Sequence, residues 1–463
     1  MKHTIFTFFL LVICNNCLAD KQNVLMIIID DLNHWVSHLG RNADIKTPNI
    51  DKLASRGVSF ANAYTAAPQC LPSRIAVFTG KRPFNTGVYA NGSSLTNRVR
   101  RKDFLANYLR EQGYSVAAAG KVHEGIDGEY AQIDEYQQRG AIKKAVKLDS
   151  GRTAAQSWSI LDGNDEVAED EKTVRYVEKK LKQQFSKPFF LIAGLYKPHL
   201  SWHIPKKYYD LYPLSSIKLP VSKADDLDDL DKQAAYSLIS GPEVITDKAS
   251  EVDLKKMVRA YMAAVSYADA QVGRIIKALD DSTYADNTLV VLWSDHGYHL
   301  GEKQLAAKRV LWEEATRAPM IWSVPGVTPK GKISTNTVDF MTIFPTLCDL
   351  LEVPTPEHVE GKSIRTLLAQ PEKNTQHYAM STYLQGNHSI RTRKWRYIHY
   401  KNGSEELYNE EIDPYEWYNL ASKPENAALI KKFRALLPQK EKPLLLDRPR
   451  RLKRKSKQAG NNS

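Results

Sequence analysis

Cysteine is scarce in this chain, which has four in 463 residues, at positions 14, 17, 70 and 348. The first two fall in an N-terminal segment that we predict to be removed, so the mature chain would keep Cys70 and Cys348. Two cysteines so far apart cannot form the dense disulfide framework of a small secreted domain. Either these two pair with each other, or one of them has a different role. The length and a hydrophobic content of 42% instead indicate one large globular domain with a smaller addition.

Apart from one apolar run at the N terminus, the sequence has no stretch that predicts a transmembrane segment. That run, Ile5 to Ile13, follows Lys2 and precedes the small residue Ala19, which is the pattern of a cleaved signal peptide. A buried strand is the alternative, but a better strand follows at once. Cys14 suggests a lipoprotein, yet Ile13 is bulky where that cleavage site has a small residue. We therefore expect an exported protein, periplasmic or secreted, with a cell-surface lipoprotein as the less favoured alternative.

The sequence also lacks a recognised nucleic-acid-binding motif, although its net charge is +12. Seven of the basic residues lie between Arg448 and Lys457, in a tail that we expect to be solvated and disordered. The rest of the chain is mildly basic, which suits a polyanionic substrate without requiring one. We therefore expect no nucleic-acid partner.

Helix patterns alternate with strand patterns along most of the chain. The stretch "NVLMIIID" is an unbroken apolar run that ends in acid, as in a central parallel strand buried on both faces. Further strands are predicted at "SVAAAG", "FFLIAGLY", "TLVVLWSD" and "RAPMIWSVPG", and helices at "TPNIDKLASRG", "DFLANYLREQGY", "KTVRYVEKKLKQQF" and "DLKKMVRAYMAAVSYADAQVGRIIKAL". The alternation predicts an α/β fold, in which a large, mostly parallel or mixed sheet is covered by helices on both faces.

A different pattern follows near Gly361. The stretch "HSIRTRKWRYIHYKNGSEELYNE" is rich in strand-forming residues, and its "KNG" is typical of a hairpin turn, so it predicts a small antiparallel sheet. Residues 206–250 have the composition of a long, loop-rich insertion. The predicted organisation is a signal peptide at 1–19, a catalytic domain at 20–360, a C-terminal α+β subdomain with an antiparallel sheet at 361–447, and the basic tail at 448–463.

Polar side chains follow four of the predicted strands. Because the carboxyl ends of parallel strands meet at one edge of a sheet, where ligands bind, we expect these residues to converge: Asp30, Asp31, Lys121, His123, Lys197, His199, Asp295 and His296. The carboxylates of Asp30, Asp31 and Asp295 are hard oxygen ligands that favour Ca²⁺ or Mg²⁺ over zinc, while His296 leaves the metal identity open. The alternative is a salt-bridge network in which nearby lysines neutralise the acids.

One short stretch, "PQCLPSRIAVFTG", places Cys70 at the start of a predicted helix. Pro72 opens the helix and Arg74 lies about one turn beyond the cysteine. A helix N-terminus favours an anion, so Cys70 is interpreted either as a thiolate nucleophile or as a buried structural cysteine.

This stretch resembles the signature of the sulfatase family, in the alkaline phosphatase superfamily. The resemblance rests on "CLPSR" with "FTGKRP" and continues through "IIIDDLN", "TPNIDKLASRGVSFANAYT", "GKVH", "KPH", "SDHGYHLGE", "RAPMIW" and "ELYNEEIDPYEWYNLA". It implies an alkaline-phosphatase-like sheet and the oxidation of Cys70 to formylglycine (3-oxoalanine) by a maturation enzyme. It also implies one Ca²⁺, held by an oxygen of that formylglycine and by Asp30, Asp31, Asp295 and His296.

The resemblance implies roles for further residues. Lys121 and His123 match the family's "K-x-H" pair beside the nucleophile, and His199 matches its sulfate-binding, proton-donating histidine. Lys308 falls where the family has its last sulfate-binding lysine. Because "EKQLAAK" departs from the residue pattern that is common there, Lys303 is the alternative candidate for this sulfate-binding lysine.

The chemistry explains why such residues are needed. One hydroxyl of a hydrated aldehyde at position 70 would attack sulfur, and the other, deprotonated through His123, would expel sulfate. Arg74, Lys121 and Lys308 would hold the charged oxygens. His199 would protonate the departing sugar oxygen.

The substrate is predicted by analogy to the branch of the family that includes iduronate-2-sulfatase. The sequence resembles that branch in having His296 at a position where many family members have Asn. We expect a sulfated polysaccharide or its oligosaccharides, with ulvan first and a glycosaminoglycan uronate-2-sulfatase as the alternative. A phosphomonoesterase or phosphodiesterase of the same superfamily is a further alternative, which Arg74 and a single metal cluster disfavour. Candidates for a sugar pocket, each with packing or surface as the alternative, are His34, Trp35, Trp202, His203 and Arg309.

Overall fold

A computed structural model describes residues 21–124, 131, 133–142, 150–151, 157–231, 234–235 and 250–446. The predicted signal peptide and the predicted basic tail both lie outside the described residues. So does most of the second half of the predicted loop-rich insertion at 206–250. The domain boundaries proposed above therefore stay predictions.

Eight strands form one central sheet in the order β11-β2-β10-β9-β1-β7-β3-β4. β10 pairs in antiparallel fashion with both of its neighbours, and all the other strands run in one direction. The predicted mixed, mostly parallel sheet is thereby confirmed. Its strands are β1 Asn23–Ile29, β2 Val58–Tyr64, β3 Ser115–Gly120, β4 Glu135–Gln137, β7 Phe189–Leu195, β9 Thr288–Ser294, β10 Met320–Ser323 and β11 Lys332–Asp339.

The strand β1 lies in the middle of the sheet and is buried along its whole length. Its side chains alternate between two hydrophobic cores, because successive residues of a strand point to opposite faces. Leu25, Ile27 and Ile29 belong to one core, which includes the long helix Glu251–Asp280. Met26 and Ile28 belong to the other, which includes residues of the helix Cys70–Thr79. Helices therefore cover both faces, as the apolar run predicts.

The helices of the described residues are short, apart from the one that covers the first core. Ser250 caps that helix, since its hydroxyl accepts a hydrogen bond from the backbone N–H of Asp253 at 3.1 Å. None of the described helices combines the length and the apolar character needed to cross a bilayer. The helices are α1 Pro48–Ala54, α2 Cys70–Thr79, α3 Pro83–Thr86, α4 Leu105–Glu111, α5 Glu171–Leu181, α6 Lys206–Tyr209, α7 Glu251–Asp280, α8 Glu313–Thr316, α9 Ile343–Leu350, α10 Arg365–Ala369 and α11 Ala427–Arg434.

The C-terminal region carries the predicted antiparallel sheet. Its four strands pair in chain order, as β12 Ala379–Thr382, β13 His388–Arg391, β14 Trp395–His399 and β15 Glu405–Asn409. The "KNG" turn joins β14 to β15, and Gly403 there has a φ of 89°, a backbone conformation that favours glycine. A third, small sheet that the sequence pattern did not predict contains β5 Ser150–Gly151, β6 Ser157–Leu161 and β8 Trp202–Pro205.

Candidate active site

Four adjacent parallel strands deliver polar residues to one edge of the central sheet. In sheet order they are β9, β1, β7 and β3, and the chain continues from them into Asp295–His296, Asp30–Asp31, Lys197–His199 and Lys121–His123. The predicted convergence follows from this order, because the carboxyl ends of the four strands share an edge. The described site is the region around these ends and the start of α2.

Four side chains from three parts of the fold, the ends of β1 and β9 and the start of α2, surround one point of the site. Potential ligand atoms of Asp30, Asp31, Cys70 and His296 all lie within 4.8 Å of one another, and all four residues are buried. The imidazole Nδ1 of His296 lies 3.0 Å from the carbonyl oxygen of Gly297, so in the neutral ring Nδ1 donates and Nε2 carries the lone pair. Nε2 lies 3.4 Å from Oδ1 of Asp31, which is itself an acceptor.

These atoms fit a bound cation. The ligand atoms crowd together in a space that water does not reach. Oδ1 of Asp30 is fully buried with no hydrogen-bond partner among the described residues, and Nη2 of Arg74 lies 3.5 Å from it. A neutral histidine fixed through its other nitrogen is the usual arrangement of a metal ligand. Asp295 lies at the margin of the group, with Oδ1 3.7 Å from Nε2 of His296.

Asp31 adopts an unusual backbone conformation, with a φ of 62°. Two contacts hold it there: its backbone N–H donates to Oδ1 of Asp295 at 3.1 Å, and its carbonyl oxygen accepts from the hydroxyl of Tyr261 at 2.9 Å. The same hydroxyl accepts from the backbone N–H of Asn33 at 2.9 Å. Tyr261 lies in the middle of α7, so sequence analysis missed it as a residue that shapes the site.

Helix α2 begins at Cys70 and ends at Thr79, and the following Gly80 has a φ of 65°. Hydroxyl groups anchor its first turn to the end of β9. The side chains of Ser73 and Thr65 both donate to the carbonyl oxygen of Asp295, at 2.5 and 2.7 Å. The nucleophile candidate and one of the candidate metal ligands are thereby fixed relative to each other.

The Cys70 thiol is fully buried and lies 3.4 Å from Nε2 of His296. Burial, together with the nearby Asp30 carboxylate, raises the pKa of Cys70 well above its usual range, although Lys121 and Lys308 oppose this. These side chains by themselves leave the sulfur as a thiol, which is a weak nucleophile. The interpretation of Cys70 as a plain thiolate is therefore disfavoured.

Three cationic side chains border the cluster. Nζ of Lys121 contacts Oδ2 of Asp30, and Nζ of Lys308 lies 2.5 Å from Oδ1 of Asp31. Burial opposes the charge on both lysines, but the carboxylates prevail and raise the pKa of each. Both are therefore positive at neutral pH. The salt bridges of the predicted alternative are therefore present, although Oδ1 of Asp30 has no hydrogen-bond partner among the described residues.

Arg74 is the third cation and is fully buried. Its Nε donates to Oδ2 of Asp295 at 2.9 Å, and its Nη1 donates to the backbone carbonyls of Lys121 and Val122. The guanidinium thus joins α2 to the ends of β9 and β3. Because Arg offers several donors in a fixed plane, one side chain can fix all three elements.

Lys303, the fallback for the last cation, points elsewhere. Its ammonium pairs with Asp226 at 2.7 Å and lies over the rings of Trp312 and Tyr408. Of the two lysines, Lys308 is the one that reaches the site.

The two remaining predicted histidines have different surroundings. Nδ1 of His199 lies 2.6 Å from the carbonyl oxygen of Leu200, which leaves Nε2 as the atom that can exchange a proton. Burial lowers the pKa of His199 to about 4, although the Asp31 carboxylate opposes this. The ring of His123 is buried and packs against Phe78 and Phe104, with centroid distances of 4.3 and 5.7 Å.

Four of the five sugar-pocket candidates have little exposed surface. His34, Trp35, Trp202 and His203 are all buried. The indole of Trp202, for example, packs against Tyr261 and donates from its N–H to the carbonyl oxygen of Pro198 at 2.6 Å. The packing alternative is favoured for Trp35 and Trp202, which belong to the hydrophobic core, and a sugar-binding role for any of the five stays a prediction. Arg309 is half-buried beside Lys308 and stays a candidate.

Asp170, which sequence analysis also missed, holds the loop after β7. Its two carboxylate oxygens accept from the backbone N–H groups of Tyr196 and Lys197, at 2.6 and 3.0 Å. Burial nevertheless dominates and raises the pKa of Asp170 to about 7. No motif marks this residue, because it acts on the backbone of a segment that is distant in sequence.

Comparisons with known proteins agree with this geometry. Residues 22–353 match the family model described as Sulfatase, and residues 301–443 match that described as N-sulphoglucosamine sulphohydrolase, C-terminal. The chain belongs to the sulfatase family. A sulfatase of Formosa agariphila is 36% identical over 445 residues, which cover 91% of this chain and 87% of that protein. Iduronate 2-sulfatase of Mus musculus is 31% identical over 417 residues, which cover 78% and 74%.

A solved structure of a 2-O GAG sulfatase has a TM-score of 0.69 at 24% identity, covering 90% of this chain and 91% of that one. The fold is therefore that of known sulfatases, and the predicted alkaline-phosphatase-like architecture is confirmed. The protein is a sulfatase, and the resemblance carried by "CLPSR" and its companion motifs is confirmed with it.

Proposed function

We propose that this sulfatase is an exported enzyme that hydrolyses sulfate esters on a sulfated polysaccharide or its oligosaccharides. One observation carries the proposal: Cys70 opens α2 inside a buried group of carboxylates, and the cations Arg74, Lys121 and Lys308 border that group. Cations placed where negative charge develops on sulfuryl oxygens lower the barrier to hydrolysis. A buried site makes their charge more effective, because water does not screen it.

Position 70 would hold the nucleophile. Oxidised to formylglycine by a maturation enzyme, it would supply, as a hydrated aldehyde, one hydroxyl that attacks sulfur and a second whose deprotonation releases sulfate. The raised pKa of the Cys70 thiol supports this proposal, because the unmodified side chain is poorly suited to attack. Lys308, whose ammonium lies 3.1 Å from the sulfur of residue 70, would hold the group that replaces it.

Asp30, Asp31, Asp295 and His296 would hold a divalent cation together with the modified residue 70. Three carboxylates favour Ca²⁺, which prefers several oxygen ligands. When bound, such an ion supplies positive charge that polarises an oxygen on sulfur and favours the ionised nucleophile. The burial of all four side chains would keep that charge unscreened.

Two histidines would move the protons. His199 would protonate the departing sugar oxygen from Nε2, since Nδ1 is committed to the carbonyl oxygen of Leu200. Its pKa of about 4 leaves it neutral before the substrate binds. The negative charge of a bound sulfate ester would favour its protonated form. His123 would accept the proton that the hydrated residue 70 loses.

The substrate class is proposed from two kinds of support. The chain has an excess of basic residues, which suits a polyanion, and one of its relatives is named iduronate 2-sulfatase. We propose ulvan as the first substrate to test and a glycosaminoglycan 2-O-sulfated on its uronate as the alternative.

The phosphoesterase alternative is less well supported. Phosphatases that use two metal ions need a second metal-binding site. A further carboxylate group among the described residues contains Glu313, Glu410 and Glu416, but the guanidinium groups of Arg391 and Arg396 contact it, so cationic side chains already neutralise it.

The experiment is sulfate release from ulvan, carrageenan, fucoidan, heparin and chondroitin oligosaccharides by protein produced with a formylglycine-generating enzyme. Cys70→Ala should abolish release, whereas Cys348→Ala, a change at the other buried cysteine, should retain it. Mass spectrometry of the peptide that contains residue 70 should find the aldehyde only when Cys70 is present. Hydrolysis of phosphate esters without release from any sulfated substrate would contradict the proposal.

A further inference from the structure

A cavity of about 560 Å³ borders the site beside Lys121. Its wall includes the end of β3 at Gly120 and Lys121, the segment 138–142 that follows β4, and Glu169. Its volume lies in the range of pockets that bind small molecules. Lys121 lines the cavity and also contacts Asp30 of the site, so the cavity and the site share this residue.

Arg139 is a cation on the wall of this cavity, outside the group that the proposed mechanism uses. Its guanidinium lies 3.9 Å from the ring centroid of Tyr196, and it makes no hydrogen bond or ion pair with another described residue. The N–H groups of a guanidinium lie in its own plane, so they remain available to a ligand when the group lies over an aromatic ring. These donors suit the two oxygens of a carboxylate or sulfate, in a bidentate pair.

The support beneath Arg139 is rigid and belongs to the catalytic loop. The Tyr196 hydroxyl donates to the carbonyl oxygen of Leu200 at 3.0 Å, and its backbone N–H donates to Asp170. The Tyr196 ring also packs against the ring of His199, with centroids 4.8 Å apart. The ring on which the exposed Arg139 side chain lies is therefore held against the proposed proton donor.

Glu169 gives the same cavity an acceptor. Its carboxylate is mostly buried and lies 3.4 Å from the ammonium of Lys197 through Oε1. Its Oε2 is buried without a hydrogen-bond partner among the described residues. A buried carboxylate oxygen in that state gains a hydrogen bond when a hydroxyl reaches it. Sugars present such hydroxyls.

We propose that this cavity is a sugar subsite, in which Arg139 binds a second anionic group of the substrate and Glu169 accepts a hydrogen bond from a sugar hydroxyl. The second anionic group is a carboxylate or a further sulfate on the sugar that carries the scissile sulfate, or on its neighbour. The inference rests on the proposed function, because it assumes that the sulfate ester is bound at residue 70 between Lys121 and Lys308. It makes Arg139 a residue that determines specificity.

The test compares substrates that differ in one anionic group. They are a 2-O-sulfated uronate oligosaccharide, its carboxyl-reduced counterpart, and a counterpart with the carboxyl reduced and a second sulfate added. For Arg139→Ala we expect the preference for the uronate over its reduced counterpart, measured as a ratio of kcat/KM, to fall about tenfold or more, mainly through KM. Arg139→Lys should retain part of the preference, because it keeps the charge and loses the fork.

The third substrate identifies the anion. If the wild-type enzyme prefers it to the carboxyl-reduced one and Arg139→Ala does not, the subsite takes a sulfate. If only the uronate is preferred, it takes a carboxylate. Arg56→Ala, a change at a surface arginine paired with Asp280, should keep the wild-type preference. Equal losses on all three substrates in Arg139→Ala, or no change on any, would overturn the proposal.

A binding experiment separates this inference from the proposed function. The ligand lacks the scissile sulfate but keeps the second anionic group: an unsulfated uronate oligosaccharide, or a carboxyl-reduced one with the second sulfate. Its calorimetric titration needs no turnover, and for the ligand with the anion that the subsite takes we expect binding to the wild type that Arg139→Ala weakens about tenfold or more. Such binding in a protein that releases no sulfate would sustain the subsite and contradict the proposed function. Sulfate release, together with binding that does not depend on Arg139, would support the proposed function and contradict the subsite.

Discussion

The side-chain ammonium of Lys308 donates to the sulfur of Cys70 at 3.1 Å, although 238 positions separate the two residues. The same ammonium lies 2.5 Å from Oδ1 of Asp31, so one cation contacts both the residue that would carry the nucleophile and a candidate metal ligand. Its charge therefore lies where the proposed reaction places negative charge on the sulfuryl oxygens.

Removal of this cation should reduce turnover without loss of the fold. For Lys308→Ala we expect kcat/KM on an aryl sulfate to fall by about 10²–10³, the usual effect of losing one group that stabilises a transition state. Lys308→Arg should recover part of the loss. Because Lys308 pairs with the buried Asp31, we also expect some loss of stability, so kcat/KM is compared at a temperature at which circular dichroism shows both proteins folded.

Lys303 provides the matched control for Lys308. Lys303→Met would break a buried ion pair with Asp226, which should lower the free energy of unfolding by about 3–5 kcal/mol. The kcat/KM of the folded protein should stay close to the wild-type value. A stable Lys303→Met protein without activity would mean that the two lysines have been assigned the wrong way round.

The convergence of the site was predictable from the sequence, because acids, lysines and histidines follow runs such as "NVLMIIID" and "TLVVLWSD" at the same end. Parallel strands in one sheet must bring those ends together. The motif around Cys70 added the candidate for the nucleophile. These features depend on local patterns, which the sequence carries directly.

The supporting contacts were not predictable in this way. Tyr261 and Asp170 hold backbone groups of segments far from them in sequence, so no spacing reveals them. The aromatic residues Trp35 and Trp202 were expected near sugar, but hydrophobic burial places them in the core. A side chain that suits both packing and sugar binding has no sequence pattern that separates the two roles.

Cation binding should stabilise the folded protein. After the protein is stripped of metal with a chelator and the chelator is removed, we expect added Ca²⁺ to raise the thermal unfolding midpoint. At a free Ca²⁺ concentration of one hundred times the dissociation constant, the stabilisation should be about 2.7 kcal/mol. Asp31→Asn and His296→Ala should reduce this shift, because each loses one atom of the buried group. Glu410→Gln should keep it, since Arg391 and Arg396 already contact that carboxylate. An equal shift in Asp31→Asn and the wild type would contradict the assignment of the site.

Arg396 should be essential for stability instead of catalysis. It is fully buried on β14 and pairs with Glu313, Glu410 and Glu416, so it connects the C-terminal sheet to α8. Arg396→Met would remove a positive charge that neutralises these buried carboxylates, and we expect the free energy of unfolding to fall by about 3–5 kcal/mol. Denaturant unfolding measures this. The exposed Arg393 is the control, and comparable losses in Arg393→Met and Arg396→Met would contradict the role given to burial.

Asp170 should make stability depend on pH. Burial raises its pKa from 3.8 to about 7, so the folded protein binds this proton more tightly than the unfolded chain does. The resulting stabilisation is fully present below about pH 3.8 and is lost as the pH rises through about 7. Its size corresponds to roughly 4 kcal/mol, at 1.36 kcal/mol for each pKa unit.

Asp170→Asn removes this titration and leaves the other groups in place. The stability of the variant relative to the wild type should therefore increase between pH 5 and pH 8, which unfolding midpoints at the two values would measure. At pH 5 the variant should be the less stable protein, because an amide oxygen cannot replace both acceptors of the Tyr196 and Lys197 N–H groups. The same loss should loosen the loop that presents His199, so kcat/KM should fall at both values. A constant difference in stability from pH 5 to pH 8 would mean that Asp170 holds the loop as a carboxylate throughout this range.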